Sequence, residues 1–170
     1  MVKKVGERKT RSDKKIDVKP TLTIELKNSL YTFAYLCNEP VKDVAEKLCM
    51  DGATSKVVID DICKWFRRDY QYGNTIAVGD LERPRLKINY NSITSKVTIR
   101  FKRDDYDLLC KLAHALDITP TSTAALLIKV SLGNIEFMQQ YGIKHSQGLS
   151  QERKRKIDVF LNELWGVKKR

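Results

Sequence analysis

The side chains with the clearest potential for recognition chemistry lie in one alternating segment, residues 96–102. Lys96, Thr98 and Arg100 occupy every second position, so a β-strand would present them on one face and bury the apolar residues between them. Lysine and arginine donate hydrogen bonds to guanine O6 and N7, and threonine can donate, accept or contact a thymine methyl group. The spacing predicts a strand that reads base edges. A solvated edge strand that uses lysine against aggregation is the alternative.

A second segment, residues 21–27, alternates in the same way. Thr21, Thr23 and Glu25 are predicted to face outward, and the apolar residues between them to face a core. Glu25 repels phosphate but can accept a hydrogen bond from cytosine N4. The first strand therefore either contacts bases or only completes a two-stranded ribbon.

Hydroxyl groups and charges lie near two predicted helix starts. Unpaired N–H groups and the positive end of the helix dipole bind phosphate at such starts. Thr119 precedes Pro120, the favoured order of a cap and a first-turn proline, and Thr54 is predicted to cap a helix that runs to Phe66. The candidate phosphate contacts, including two residues after the second strand, are Lys102, Arg103, Thr119, Thr121, Ser122, Thr54, Ser55 and Lys56. The alternative is that both threonines only cap helices.

No motif in the sequence is typical of catalysis or of metal binding. The four cysteines never form Cys-x-x-Cys, and only two histidines accompany them. A P-loop, a nucleophile elbow and a His-Glu-x-x-His motif are not found either. We therefore expect a protein that is not an enzyme and binds no cofactor and no metal.

The charge balance favours a polyanionic partner. The 170 residues include 32 Lys+Arg and 21 Asp+Glu, a net charge of +11, and the excess lies in residues 1–20, 67–103 and 151–170. Concentrated positive charge attracts nucleic acid, although a solubilising surface gives the same count. No apolar run is long enough for a membrane span, and no signal peptide is recognised, so we expect a cytoplasmic protein without membrane contact.

Local patterns predict mainly helical structure with short strands. Helices are expected over 29–37, from Pro40 to a stop at Asp51-Gly52, from Thr54 to Phe66, from a cap at Asp104 to Leu116, from Thr119 to Gly133, over 135–141, and from Ser150 to Trp165. Short strands are expected at 75–78 and 86–90. The expected segments are a flexible basic arm (1–19), a first unit (20–68), a linker with short strands (69–94), a second unit (95–141) and a C-terminal amphipathic helix with a basic tail (149–170).

The two units repeat one pattern: an alternating strand, an apolar-periodic helix, a turn and a Ser/Thr-capped helix. Thr98 lies 21 residues before Thr119, whereas Thr23 lies 31 residues before Thr54, which predicts an insertion in the first unit. The second unit resembles the ribbon-helix-helix (Arc- and MetJ-like) DNA-binding family, and Gly52-Ala53-Thr54-Ser55-Lys56 resembles that family's turn into its second helix.

This resemblance implies a protein that reads the major groove of double-stranded DNA with a β-ribbon. We expect a transcriptional repressor of a bacterial, phage or plasmid element, associated with the nucleoid or a plasmid. An accessory protein of a conjugation relaxosome and an antitoxin-like protein-interaction module are the alternatives.

The partners of the two strands are a further question. The strands can pair within one chain, which gives an asymmetric ribbon, or with a second chain, which gives a symmetric one; we favour intrachain pairing. The C-terminal helix is expected to join chains into a homodimer or higher oligomer through Ile157, Leu161 and Leu164.

Overall fold

The computed structural model describes residues 14–90 and 92–166, which are mainly helical with short paired strands. The strands are β1 (Ile16–Val18), β2 (Thr21–Thr23), β3 (Tyr70–Tyr72), β4 (Thr75–Ala77), β5 (Thr94–Lys96) and β6 (Ile99–Phe101). The helices are α1 (Ile24–Cys37), α2 (Val41–Ala53), α3 (Lys56–Ile62), α4 (Arg103–Leu116), α5 (Pro120–Gly133), α6 (Ile135–His145) and α7 (Gln151–Leu164), with a 3₁₀ turn at Cys63–Trp65. The predicted fold class, mainly α with short β-ribbons, is confirmed.

Residues 16–23 and 94–101 form one antiparallel ribbon within the chain, and we call these two segments the ribbon. β1 pairs with β6 and β2 pairs with β5, in a single register that joins Val18 to Ile99 and Thr21 to Lys96. Pro20 has no N–H group and interrupts the ladder between the two pairs, where the Val97 N–H donates to the Pro20 carbonyl at 3.1 Å. The expected intrachain pairing of the two strands is confirmed.

The first strand is shorter at its C-terminal end and longer at its N-terminal end than the sequence predicts. Residues 21–27 are not one strand, because α1 already begins at Ile24, with Thr23 as its N-cap. The strand instead extends back to Ile16, into the range 1–19 predicted as a flexible arm. Residues 1–13 of that arm lie outside the described part of the chain.

A second strand boundary differs as well. Within segment 96–102, Lys96 is the last residue of β5 and Ile99–Phe101 form β6. Lys102 is already the N-cap of α4. The predicted cap Asp104 is therefore wrong, since this residue lies in the first turn of α4. Of the two short strands predicted in the linker, 75–78 corresponds to β4, whereas 86–90 is not a strand.

The repeat is more regular in the structure than in the predicted elements. α1 and α4 each have 14 residues, begin at Ile24 and Arg103, and end at left-handed residues, Asn38 (φ 56°) and Asp117 (φ 58°). Each of these positions in α1 lies 79 residues before its equivalent in α4. The same spacing joins identical buried residues, namely Val18 and Val97, Leu30 and Leu109, Ala34 and Ala113, Ala45 and Ala124, and Leu48 and Leu127.

The second helix of the first unit is α2 and not the helix after Thr54. α2 begins at Val41 and α5 at Pro120, which is again the 79-residue spacing, so no insertion separates the two helices of the first unit. Gly52 lies inside α2 rather than ending it. A Cβ at this position would lie 2.6 Å from Oγ of Ser131 on α5, so only glycine leaves room for the contact. Ser131 is itself the equivalent of Gly52, and the two helices approach closely at this point.

The core lies beneath the ribbon. α2 packs against α5 and β6, and α5 packs against β1 and β2, so each unit's second helix supports the other unit's strand. Leu22, Ile99 and Phe101 point down from the ribbon and are buried. The two units therefore share one core, which neither can complete alone.

α7 packs against α1 within the same chain. Ile157 and Leu161 are buried there, at 8% and 6% exposure, and Arg153 donates to the carbonyls of Tyr35 and Leu36 at 3.2 and 3.3 Å. Ile157 and Leu161, two of the three residues predicted to join chains, are thus buried within a single chain. Among the described residues no helix is both long and apolar enough to cross a membrane.

Candidate functional site

The solvent-facing side of the ribbon carries a ladder of polar side chains, which we call the outward row: Asp17, Lys19, Thr21, Lys96, Thr98 and Arg100. Asp17 lies opposite Arg100 and Thr21 opposite Lys96. The same register places Lys19 opposite Thr98, at the centre of the ribbon. Lys19, Lys96, Thr98 and Arg100 are exposed, and the residues that alternate with them face the core.

The local axis of symmetry between the units passes through this centre. The 79-residue spacing makes Lys19 the equivalent of Thr98, and these two residues face each other. It likewise makes Asp17 the equivalent of Lys96 and Thr21 the equivalent of Arg100. The backbone of the ribbon is thus two-fold symmetric, whereas its outward row is not.

Arg100 and Asp17 form an ion pair on one half of this surface. The Arg100 Nε atom lies 3.3 Å from Asp17 Oδ1, and the two side chains are 61% and 51% exposed. The contact is made through Nε, the guanidinium nitrogen nearest the backbone end of the side chain. At this exposure the pair adds little to stability, and its donors and acceptors face solvent.

The two ends of the ribbon differ in charge. Lys14, Lys15, Lys102 and Arg103 are exposed beside the Asp17–Arg100 end. At the other end Thr23 pairs with Thr94, and beyond it Ser92 Oγ donates to Glu25 Oε2 at 3.2 Å. The Lys27 ammonium also lies at this end, where it donates to Ser95 Oγ at 2.8 Å, so the four exposed basic side chains give the Asp17–Arg100 end the larger positive charge.

A carboxyl group lies near the basic end. Glu46 of α2 is half-buried, and burial raises its pKa, while the charges of Lys15 and Lys102 act in the opposite direction. Both lysines thus lie near enough to α2 to act on the same group. α2 packs against β6, and Lys42 is exposed near the start of α2.

Of the residues predicted to read bases, Thr23 lies at the end of the outward face, opposite Thr94, and Glu25 lies off the ribbon. Thr23 caps α1, where its Oγ1 accepts from the Leu26 N–H at 3.2 Å, and Glu25 lies in the first turn of that helix. Thr21, Lys96, Thr98 and Arg100 do lie on the row. Asp17 and Lys19 were missed, although the identity of Val18 and Val97 at the 79-residue spacing would have aligned them with Lys96 and Thr98.

The start of α5 matches its prediction. Thr119 is the N-cap, its Oγ1 accepts from the Ser122 N–H at 3.1 Å, and Pro120 occupies the first turn. Thr121 is exposed beside them. α5 packs against β1 and β2, so this cap lies at the start of a helix that supports the ribbon.

The predicted cap at Thr54 is wrong. Its hydroxyl donates back to the Met50 carbonyl at 3.2 Å, and Ser55 is the N-cap of α3 without a side-chain cap bond. Lys56 pairs with Asp60 at 2.7 Å. Because α3 is not the equivalent of α5, the argument for phosphate contacts at these three residues no longer holds.

The described residues also include free thiols and a cavity that lie away from the ribbon. No group of three or more His, Cys, Asp or Glu side chains could hold a metal ion there. The cysteines that the structure describes are free, and burial raises the pKa of the Cys37 thiol to about 12, which favours the protonated thiol over the nucleophilic thiolate. A cavity of about 750 Å³ lies between α1, α6 and α7 and is lined by Phe33, Tyr141 and Trp165, away from the ribbon.

Comparison with protein-family models, with curated proteins and with solved structures finds no match for this chain. The functional argument therefore depends on the chain's own geometry.

Proposed function

We propose that this chain is a sequence-specific double-stranded DNA-binding protein that inserts the outward row of its ribbon into the major groove. The observation that supports it most is the exposed row of Lys19, Lys96, Thr98 and Arg100 on a ribbon whose other face is buried. A two-stranded ribbon fits the roughly 12 Å width of the major groove, and these residue types are the donors that read base edges there.

Positive charge beside the ribbon supports the same proposal. Lys14, Lys15, Lys102 and Arg103 flank one end of the ribbon and would contact the phosphates that border the groove. The capped start of α5 offers N–H groups and hydroxyls for the same purpose. The net charge of +11 adds long-range attraction.

The order of elements also supports a ribbon-helix-helix relationship. Strand, helix and helix follow one another twice, with each second helix packed beneath the strand of the other unit. In this proposal one chain provides the complete ribbon that a dimer of single units would share.

Repression of transcription is the biological role that we propose, since a protein in the major groove of a promoter excludes RNA polymerase. We infer a bacterial, phage or plasmid setting and a cytoplasmic location. Marking a transfer origin for a relaxase uses the same DNA-binding surface. A footprint on DNA that flanks the chain's own gene separates the roles, because a repressor covers a promoter and an accessory protein covers a transfer origin.

The decisive experiment measures specific and non-specific affinity for the same variants. Arg100→Ala should weaken binding to the footprinted site by about 1–3 kcal/mol, and weaken binding to random DNA much less. Lys156→Ala is the matched control, because it removes one positive charge from α7, which packs on α1. If Arg100→Ala and Lys96→Ala leave the ratio of specific to non-specific affinity unchanged, the ribbon does not read the sequence.

A further inference from the structure

We infer that Asp17 and Arg100 act together as the reader of one C·G base pair, so that the chain binds a non-palindromic site in a single orientation. This inference rests on the proposed DNA binding and concerns the same surface. It assigns a role to Asp17, a negative charge on a surface proposed to approach a polyanion.

The ion pair presents a donor group and an acceptor group side by side. Arg100 Nε lies 3.3 Å from Asp17 Oδ1, and both side chains are more than half exposed on the outward row. Because Nε makes this contact, the terminal Nη groups can point toward a base. A carboxylate beside a guanidinium restricts the positions that the fork can take, and a restricted fork loses less entropy when it binds.

The major-groove edge of a C·G pair matches these groups. Guanine shows two adjacent acceptors, N7 and O6, and cytosine shows the N4 amino donor next to them. The Arg100 fork would bind the guanine while a carboxylate oxygen of Asp17 accepts from cytosine N4. An A·T pair alternates acceptor, donor and acceptor, so the N6 amino group of adenine would face one arm of the fork.

The equivalent position on the other half of the ribbon lacks this pair. Thr21 faces Lys96 there, with a hydroxyl where Arg100 has its fork and an ammonium where Asp17 has its carboxylate. Arg100 and Lys96 are four residues apart, about 13 Å along a strand, which spans at most about four base pairs. The two halves of the site must therefore differ in sequence within this distance.

The concentration of Lys14, Lys15, Lys102 and Arg103 at the Asp17–Arg100 end strengthens this orientation. Phosphate contacts at that end would hold the C·G reader firmly in the groove, while at the other end Thr23 and Thr94 are uncharged and the Lys27 ammonium already donates to Ser95 Oγ at 2.8 Å. We expect one strongly specified base pair on one side of the site's centre.

The test selects binding sites from a random DNA library with the full chain and with three variants. The wild-type chain should select a non-palindromic site with one nearly invariant C·G pair. Asp17→Ala should lower the preference for that pair by about tenfold, and should raise affinity for all sequences because a negative charge is lost. Arg100→Lys, which keeps the charge but removes the fork, should lower the same preference without altering the other positions.

Glu25→Gln is the matched control, since it removes one negative charge at the other end of the ribbon and off the outward row. It should leave the preference for the C·G pair unchanged. A palindromic selected site, or an Asp17→Ala variant whose base preferences equal those of the wild type, would overturn the inference while DNA binding stands. A wild-type chain that enriches no sequence and binds no duplex would instead remove the proposed function itself.

Discussion

Leu48 in the first unit and Leu127 in the second occupy equivalent buried positions, whereas equivalent positions of the outward row hold Asp17 and Lys96. The first kind of position must fill a shared, close-packed core, which restricts volume and shape. The second kind faces solvent and is restricted only by what it binds. The two units therefore agree at these core positions and differ on the outward row of the ribbon.

The C-terminal ends of α1 and α4 show a second difference. Both end in a left-handed residue, and both have carbonyls that accept from an arginine. Arg153 of α7 donates to the Leu36 carbonyl of α1 at 3.3 Å, whereas Arg68, at the end of the first unit, donates to the His114 carbonyl of α4 at 2.9 Å. Each repeat is thus completed by a segment from outside the repeat.

The largest expected effect concerns the two ends of the ribbon. With roughly 6–10 phosphates neutralised, affinity for DNA should fall about 10³-fold or more between 50 and 200 mM salt. Lys15→Ala and Lys102→Ala should each reduce the slope of log affinity against log salt by about 1, measured by fluorescence anisotropy. Thr94→Ala, at the other end, is the control and should leave the slope unchanged. A slope that stays constant in both lysine variants would show that the charged end does not contact phosphate.

Core truncation compares the units by stability. Leu48→Ala and Leu127→Ala should each lower the free energy of unfolding by about 2–5 kcal/mol, because both side chains are fully buried at equivalent places. Urea denaturation followed by circular dichroism measures both losses, with the exposed Lys129→Ala as the control. Two separate transitions, one sensitive to each variant, would contradict a shared core.

Acid should act on the fold through Asp117, at the end of α4, and not through its uncharged equivalent Asn38 at the end of α1. Arg67, Arg68 and Arg85 contact its carboxylate at 3.3, 3.2 and 2.9 Å. Desolvation would raise the pKa of Asp117, but the Arg68 hydrogen bond and the charge of Arg85 outweigh it and lower the pKa below 3.8. This stabilisation is complete at pH values above 3.8, the ordinary pKa of an aspartate, and is lost as the pH falls through the lowered pKa of the folded state.

Asp117→Asn should therefore reduce stability at pH 6 and have a smaller effect near pH 2, as measured by thermal unfolding at each pH. The equivalent residue Asn38 is uncharged, so Asn38→Asp serves as the comparison. An effect of Asp117→Asn that does not change with pH would show that the charge of Asp117 is not what the arginines stabilise.

The smallest effect expected is at the left-handed caps. Asn38→Gly should change the free energy of unfolding by less than about 1 kcal/mol, since glycine relieves the backbone strain at φ 56° but gains entropy in the unfolded chain. Asp117→Gly relieves similar strain and also removes the carboxylate that three arginines contact, so it should be the more destabilising of the two. Equal effects in parallel urea titrations would mean that the arginine cluster contributes nothing.

Sequence patterns predicted several elements correctly, although the caps expected at Thr54 and Asp104 were wrong. The alternation at 96–102, the cap at Thr119 and the cap at Ser150 correspond to elements of the structure. Residues 22–26 are ambiguous, because apolar residues at Leu22, Ile24 and Leu26 suit a strand and also begin the helical series of α1. Tertiary packing decides between them, and the strand ends at Thr23.

Two features could not be read from local patterns. β1 lies in a Lys-rich stretch that has too few apolar residues to predict a strand, and it forms because the alternating segment at 99–101 supplies a partner. Gly52 suggests a helix end, but its role is to let α2 approach Ser131 on α5. Both depend on contacts between residues that are distant in the chain.

The intrachain ribbon has a consequence for how the protein responds to its own abundance. A ribbon built from two identical chains dissolves when the concentration falls below the dissociation constant of the dimer. Here folding is unimolecular, so the fraction of chains with a formed ribbon does not change on dilution. Under the proposed DNA binding, occupancy of a site by one such chain would rise in direct proportion to copy number at low abundance, without the lag and steep onset of an assembling dimer.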